Sequence, residues 1–164
     1  MIYLLDANVL ITANRQYYPI DRIPDFWYWI VDQGIAGHIK IVDEVYEEVT
    51  GGNDGLTAWA SQEEVKEALL FPDPVNVALV RRVISEGYAP DLTDDELEQL
   101  GRDPFLIAHA LEDAGDRVVV TLERSKPRQR RANRHIPDVC RDFGIRCIDT
   151  FEMAVALDFR TGRR

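Results

Sequence analysis

The chain has 164 residues, a length that favours a single domain. Hydrophobic residues make up 46% and charged residues 29%, which excludes a disordered or fibrous chain. The net charge is −10, yet residues 1–123 carry −16 and residues 124–164 carry +6, so the total alone does not exclude a polyanionic partner.

The opening Met1-Ile-Tyr-Leu-Leu-Asp has no basic flank and its apolar run stops at Asp6, unlike a secretory leader. The longest apolar stretch, Phe26 to Val31, is too short to cross a bilayer, so no membrane partner and a cytoplasmic location are expected. Ile2–Leu5 is apolar on both faces, as in the middle of a parallel sheet. Pro24 opens a helix whose stripe is Phe26, Trp27, Ile30 and Val31, and aromatic residues at such spacing are expected in the core. His38–Val42 reads as a second strand, followed by a short helix capped by Asp43 and ending near Gly51-Gly52. One helix is expected to carry Leu56, Trp59, Ala60, Val65 and Leu69, and another Val77, Val80, Ile84 and Tyr88. Thr93-Asp-Asp-Glu96 matches a capping box, and Asp103-Pro104 reads as N-cap and first position of a further helix. Val118–Thr121 is a strand, Ile136–Phe143 a helix, Ile145–Ile148 a strand, and a terminal helix starts at Thr150. Strands separated by helices imply an α/β domain with a parallel sheet, which places ligands outside the carboxyl ends of its strands. Cys140 and Cys147 are too few for a disulfide scaffold and read as buried thiols.

The residues that follow the strands converge on that edge. They are Asp6 and Asn8 after the first strand and Glu123 after Val118–Thr121. Asp103 joins them at the head of an apolar face that runs through Ile107, Ala110 and Ala114. In Asp43-Glu44-Val45-Tyr46-Glu47-Glu48-Val49, the valines define the buried side. Glu48 lies about 80° from it, Glu44 about 120° and Glu47 about 180°. Glu48 is therefore the first candidate to reach inward and Glu44 the second, while Glu47 faces water. Carboxylates crowded at one edge raise each other's pKa, and a hard divalent cation removes that conflict. Oxygen-only donors select Mg²⁺ or Mn²⁺ over zinc. Taken singly, each acid has an ordinary alternative: a helix cap for Asp103, a solvated helix face for Glu48, a turn for Asp6.

These segments resemble PIN-domain nucleases. Leu4-Leu-Asp-Ala-Asn-Val-Leu-Ile11 is similar to the family's opening motif and Glu48 to its second acid. Asp103-Pro-Phe-Leu-Ile-Ala-His-Ala110 is similar to its third motif and Val118-Val-Val-Thr-Leu-Glu123 to its fourth. Glu123 stands where the family more often has Asp, and Thr121 matches a small hydroxyl residue often found nearby. The resemblance implies a three-layer α/β/α fold around a mostly parallel sheet of four to five strands. It implies one domain over residues 1–164, with a helical insertion at about 53–100, similar to a longer VapC-type toxin. It also implies metal-dependent hydrolysis of RNA by Asp6, Glu48, Asp103 and Glu123, with Asn8, Thr121 and Glu44 in support. A cognate antitoxin and a homodimer are the protein partners it suggests.

Six cations fall in the segment 124–134: Arg124, Lys126, Arg128, Arg130, Arg131 and Arg134. Leaving the same edge as Glu123, they are candidates to hold an RNA backbone. The alternative pairs them with the acidic body, where Asp91, Asp94, Asp95 and Glu96 are available. Three other readings compete with the nuclease. A haloacid-dehalogenase phosphatase needs a second Asp where Asn8 stands. A receiver domain needs paired acids after the first strand. A PIN-like module without catalysis differs in chemistry alone.

Overall fold

A computed structural model describes residues 1–162. Its centre is a four-stranded, all-parallel sheet of β1 (Ile2–Leu5), β2 (Ile39–Lys40), β3 (Arg117–Val120) and β4 (Cys147–Ile148), in the order β2-β1-β3-β4. Consecutive residues Tyr3, Leu4 and Leu5 are all buried, as are Val118, Val119 and Val120. Because neighbouring side chains in a strand point to opposite faces, this burial requires a cover on both sides. Helices supply it, giving a three-layer α/β/α arrangement.

Ten helices surround the sheet among the described residues. They are α1 (Ala7–Thr12), α2 (Pro24–Ile35), α3 (Asp43–Thr50), α4 (Gly55–Ala60), α5 (Glu63–Leu69), α6 (Val77–Arg82), α7 (Asp94–Leu100), α8 (Asp103–Glu112), α9 (Ile136–Asp142) and α10 (Thr150–Ala156). The apolar stripe of α2 is a core seam: Phe26, Trp27 and Ile30 are buried, and Phe26 stacks on Tyr18. Where α2 meets α5, Gly34 is required for packing. A Cβ there would meet Leu69 Cδ2 at 2.6 Å and the Ala68 carbonyl oxygen at 2.8 Å.

Several expected boundaries shift. The single helix expected over Leu56–Leu69 is two, α4 and α5, separated at Ser61-Gln62. The Val77–Tyr88 helix is α6 followed by a π-helical turn over Val83–Tyr88. Val42, not Asp43, is the N-cap of α3, and Arg102, not Asp103, that of α8. Helix α8 ends at Glu112, before Ala114, and is buried almost all round rather than along one stripe. The last strand is reduced to Cys147–Ile148. The capping box at Thr93 and Glu96 forms as expected. No helix among the described residues is long and apolar enough to cross a membrane.

Candidate functional site: a carboxylate edge at the switch point

Strand β1 is followed by β2 on one side of the sheet and paired with β3 on the other. This reversal of strand order opens a crevice at the carboxyl ends of β1 and β3. Asp6 and Asn8 follow β1 there, and Thr121 and Glu123 follow β3.

One hydroxyl ties the two strand ends together. Thr121 Oγ1 donates to Asp6 Oδ2 at 2.8 Å and accepts from Asn8 Nδ2 and from the Glu123 N–H, each at 3.1 Å. Asn8 Oδ1 in turn accepts the Leu122 N–H at 3.0 Å. The small β-branched residue thus uses its full hydrogen-bonding capacity in a buried position.

The helix-cap alternative fails for Asp103, while the exposure of Glu48 is what a solvated helix face gives. Asp6 precedes α1 but makes no capping bond to it. Asp103 lies inside the first turn of α8 and caps nothing. It is half-buried and forms no hydrogen bond or ion pair with a described residue. Glu48 is exposed and likewise unpaired. Two of the acids are engaged: Asp6 accepts from Thr121, and Ile136 donates its N–H to Glu123 Oε2 at 2.8 Å at the start of α9.

The electrostatic cost of this arrangement is plain. Burial pushes the Asp6 carboxyl up to about 6, against the lowering effect of Thr121 and with help from the charges of Glu123 and Glu48. Burial, followed by Asp6, Glu123 and Glu48, pushes Asp103 up to about 8. Glu48 is therefore the α3 glutamate whose charge acts on the cluster. Glu44 turns elsewhere, with Oε2 lying 3.4 Å from Nε2 of the buried His109. Burial lowers the pKa of that imidazole despite the carboxylate, which keeps the ring neutral. Glu47 pairs with Arg102 at 2.9 Å on the outer face.

The chain belongs to the family described as a domain of unknown function, DUF4411. The matched span is residues 3–161, which includes all four acids of the edge. No curated protein and no solved structure matches the chain.

The six cations divide into two groups. Arg131 is clamped by Asp91 at 2.8 Å and Glu96 at 2.9 Å, and Arg134 by Asp142 at 2.7 Å and the Gly87 carbonyl. The side chains of Arg124, Lys126, Arg128 and Arg130 are exposed and pair with no described residue.

Tyr88, which its helical spacing places in the core, is buried there within electrostatic reach of the site. Its hydroxyl is buried without a hydrogen-bond partner among the described residues. Burial and the charges of Asp103 and Glu123 push its pKa up.

Among the described residues no group of three or more His, Cys, Asp or Glu side chains is placed to hold a metal ion. The donor chemistry nevertheless suits a hard divalent cation. The donors are carboxylate oxygens only, two of the acids are unpaired, and Asp6 and Asp103 are held in a state that added positive charge would relieve.

Proposed function

We propose that the chain is a metal-dependent endoribonuclease of the PIN type, with the toxin of a toxin–antitoxin pair as its expected biological setting. The observation that carries this reading is the crowding of acids at the switch point, where Asp103 has no hydrogen-bond or ion-pair partner among the described residues and feels the charges of Asp6, Glu123 and Glu48. Asp6, Asp103 and Glu48 would hold Mg²⁺ or Mn²⁺, with Glu123 alongside. Bound there, the ion would acidify a water and offset charge building on the phosphate.

The chain's own groups do the rest. Thr121 fixes the orientation of Asp6 by donating to Oδ2, and Asn8 holds Thr121 in place. Asp103, protonated at neutral pH when no cation is near, gives up its proton when one binds. The unpaired, exposed cations Arg124, Lys126, Arg128 and Arg130 follow Glu123 in the chain and would hold phosphates flanking the cut. The engagement of Glu123 by α9 favours a second reading, a PIN-like binding module without catalysis.

Cleavage assays on RNA, DNA and a phosphomonoester, with Mn²⁺ or EDTA, separate the two. The nuclease reading expects Mn²⁺-dependent RNA cleavage that is abolished in Asp6→Asn and Asp103→Asn. It also expects calorimetric Mn²⁺ affinity to fall about 10-fold or more in Glu48→Gln and to hold in Glu47→Gln. Cleavage that survives EDTA, or either Asn variant, overturns it.

A further inference from the structure

Beside the carboxylate edge lies a second, polar cavity of about 310 Å³, lined by Gln99, Asp103, Glu123, Gln129, Asn133 and His135. Its size is at the low end for pockets that take small organic groups. Asp103 and Glu123 belong to both places, so a group seated here adjoins whatever the carboxylate edge holds.

The remaining lining is of another kind: three carboxamides and an imidazole, drawn from α7 and from the loop after β3. Their hydrogen-bonding capacity is only partly used. Gln99 Nε2 donates to Asn133 Oδ1 at 2.8 Å and to the Ala132 carbonyl at 3.4 Å. Gln99 Oε1 and the Asn133 amide N–H groups are left without a partner among the described residues. Gln129 is bonded through its backbone N–H alone, to the Lys126 carbonyl. His135 Nδ1 stands 2.8 Å from the Arg124 carbonyl, which can only accept. That nitrogen therefore carries the proton, and a neutral ring presents Nε2 as an acceptor.

The cavity so offers two fixed acceptors, one fixed donor and the reversible amide of Gln129. The acids Asp103 and Glu123, set against the one guanidinium of Arg134 in the wall, disfavour an anion. A flat, uncharged group with donors and acceptors along its edge fits, and side-chain amides pair with nucleobase edges in this way. The guanidinium of Arg134, also in the lining, is a plane on which such a ring can stack.

The Gln99 and Asn133 amides are also held against each other before any ligand arrives. Arg131 adopts φ +54, a conformation uncommon for a residue with a side chain. Its two carboxylate partners, Asp91 and Glu96, hold the Arg131–Asn133 turn against α7. Ordering cost on binding is correspondingly small.

We propose that this cavity is a nucleobase subsite, which takes one unpaired base of a single strand next to the phosphate at the carboxylate edge and selects the sequence at that position. The proposal rests on the nuclease reading for the position of the phosphate. A base within a duplex has its edge occupied and cannot enter, so the substrate is single-stranded there.

Equilibrium binding to the full chain in EDTA tests it independently of cleavage. The probes are short fluorescent single strands of stable abasic sugars with one central A, C, G or U nucleotide, in ribose and deoxyribose forms, plus the all-abasic strand. At least one base is expected to improve affinity over the all-abasic strand by about fivefold or more, the discrimination of a good amide–base pair. Gln129→Ala and Asn133→Ala are expected to erase that gain while leaving the all-abasic affinity within about twofold. Gln129 is exposed and its side chain bonds to nothing described, so that variant folds as the parent does. Equal affinity for all five strands, or a gain undiminished in Gln129→Ala, overturns the subsite. A gain in both sugar series assigns the selectivity to the base, and a gain in the ribose series alone adds a 2′-hydroxyl contact. Base-selective binding without metal-dependent cleavage would leave the subsite standing and remove the nuclease reading. Metal-dependent cleavage without base-selective binding would do the reverse.

Discussion

Asp103 bears the largest unmet cost of any side chain at the sheet edge. Its pKa, raised from 3.8 to about 8, means that the folded chain holds a proton which the unfolded chain releases. An acid whose pKa is higher in the folded state adds stability in full below its unfolded value, and that stability is lost as pH climbs toward the folded value. Asp103 thus weakens the metal-free fold progressively between about pH 4 and pH 8, and Asp6, pushed up to about 6, adds to the loss over the lower half of that window. Urea midpoints in EDTA should therefore fall from pH 5 to pH 8 in the parent chain. Asp103→Asn should flatten most of that slope, and saturating Mg²⁺ should restore the parent at pH 8. A parent profile that is flat in EDTA would mean that burial at this edge does not raise the two carboxyls in solution.

At the scale of elements, the junction of β1 and β3 depends on Thr121. Thr121→Val keeps the shape and the β-branching but removes a donor to Asp6 and an acceptor for Asn8 and the Glu123 N–H. Leaving buried polar groups unpaired costs about 1–3 kcal/mol apiece, and partial access to water at Asn8 and Glu123 reduces the sum. A loss of about 2–4 kcal/mol in chemical denaturation is expected, with Thr121→Ser recovering most of it. Equal stability of the Val and Thr forms would show that the hydroxyl is not the tie. The parts of this junction that lie within one segment were legible in the sequence. Buried parallel strands are continuous apolar runs, so Ile2–Leu5 and the run through Val118 declared themselves, and Asp6 and Glu123 followed from the edge rule. The break at Ser61-Gln62 is marked in the spacing: the five-residue step from Ala60 to Val65 turns about 140°, so one continuous helix would put Val65 and Leu69 on the face opposite Leu56 and Ala60. Helix starts were misplaced by one residue at Asp43 and Asp103 because cap propensity describes a side chain that bonds to the helix end, and neither does. Two contacts over long separations were out of reach, the Glu44–His109 pair and the Gln99–Asn133 bond that shapes the second cavity, whereas the clamp of Asp91 and Glu96 on Arg131 is the pairing with the acidic body that the charge pattern offered.

Over the whole molecule, an acidic body of net −16 carries a basic segment beside its most acidic edge. At physiological salt, charges act over about 8 Å, so a phosphate feels the loop it touches and not the total. The loop's cations are not equivalent. Arg131 and Arg134 are occupied by Asp91, Glu96, Asp142 and the Gly87 carbonyl, and they serve to hold the loop on α7 and α9. Glu96 is held down to about 2 by Arg131, so the clamp contributes stability above the ordinary value of 4.5 that is lost as pH falls toward 2. Arg124, Lys126, Arg128 and Arg130 have no such duty. Replacing these four with Gln should lower RNA affinity and flatten its salt dependence, each lost phosphate contact reducing the log–log slope by roughly 0.7 for a single strand. Arg131→Gln should instead lower stability and loosen the 131–133 turn, with the slope little changed, because its charge was already spent on carboxylates. Affinity measured from low to high salt on both variants decides the matter. A slope that falls in Arg131→Gln and holds in the fourfold variant would reverse the assignment, placing the clamp residue on the nucleic acid and the free cations in solvent.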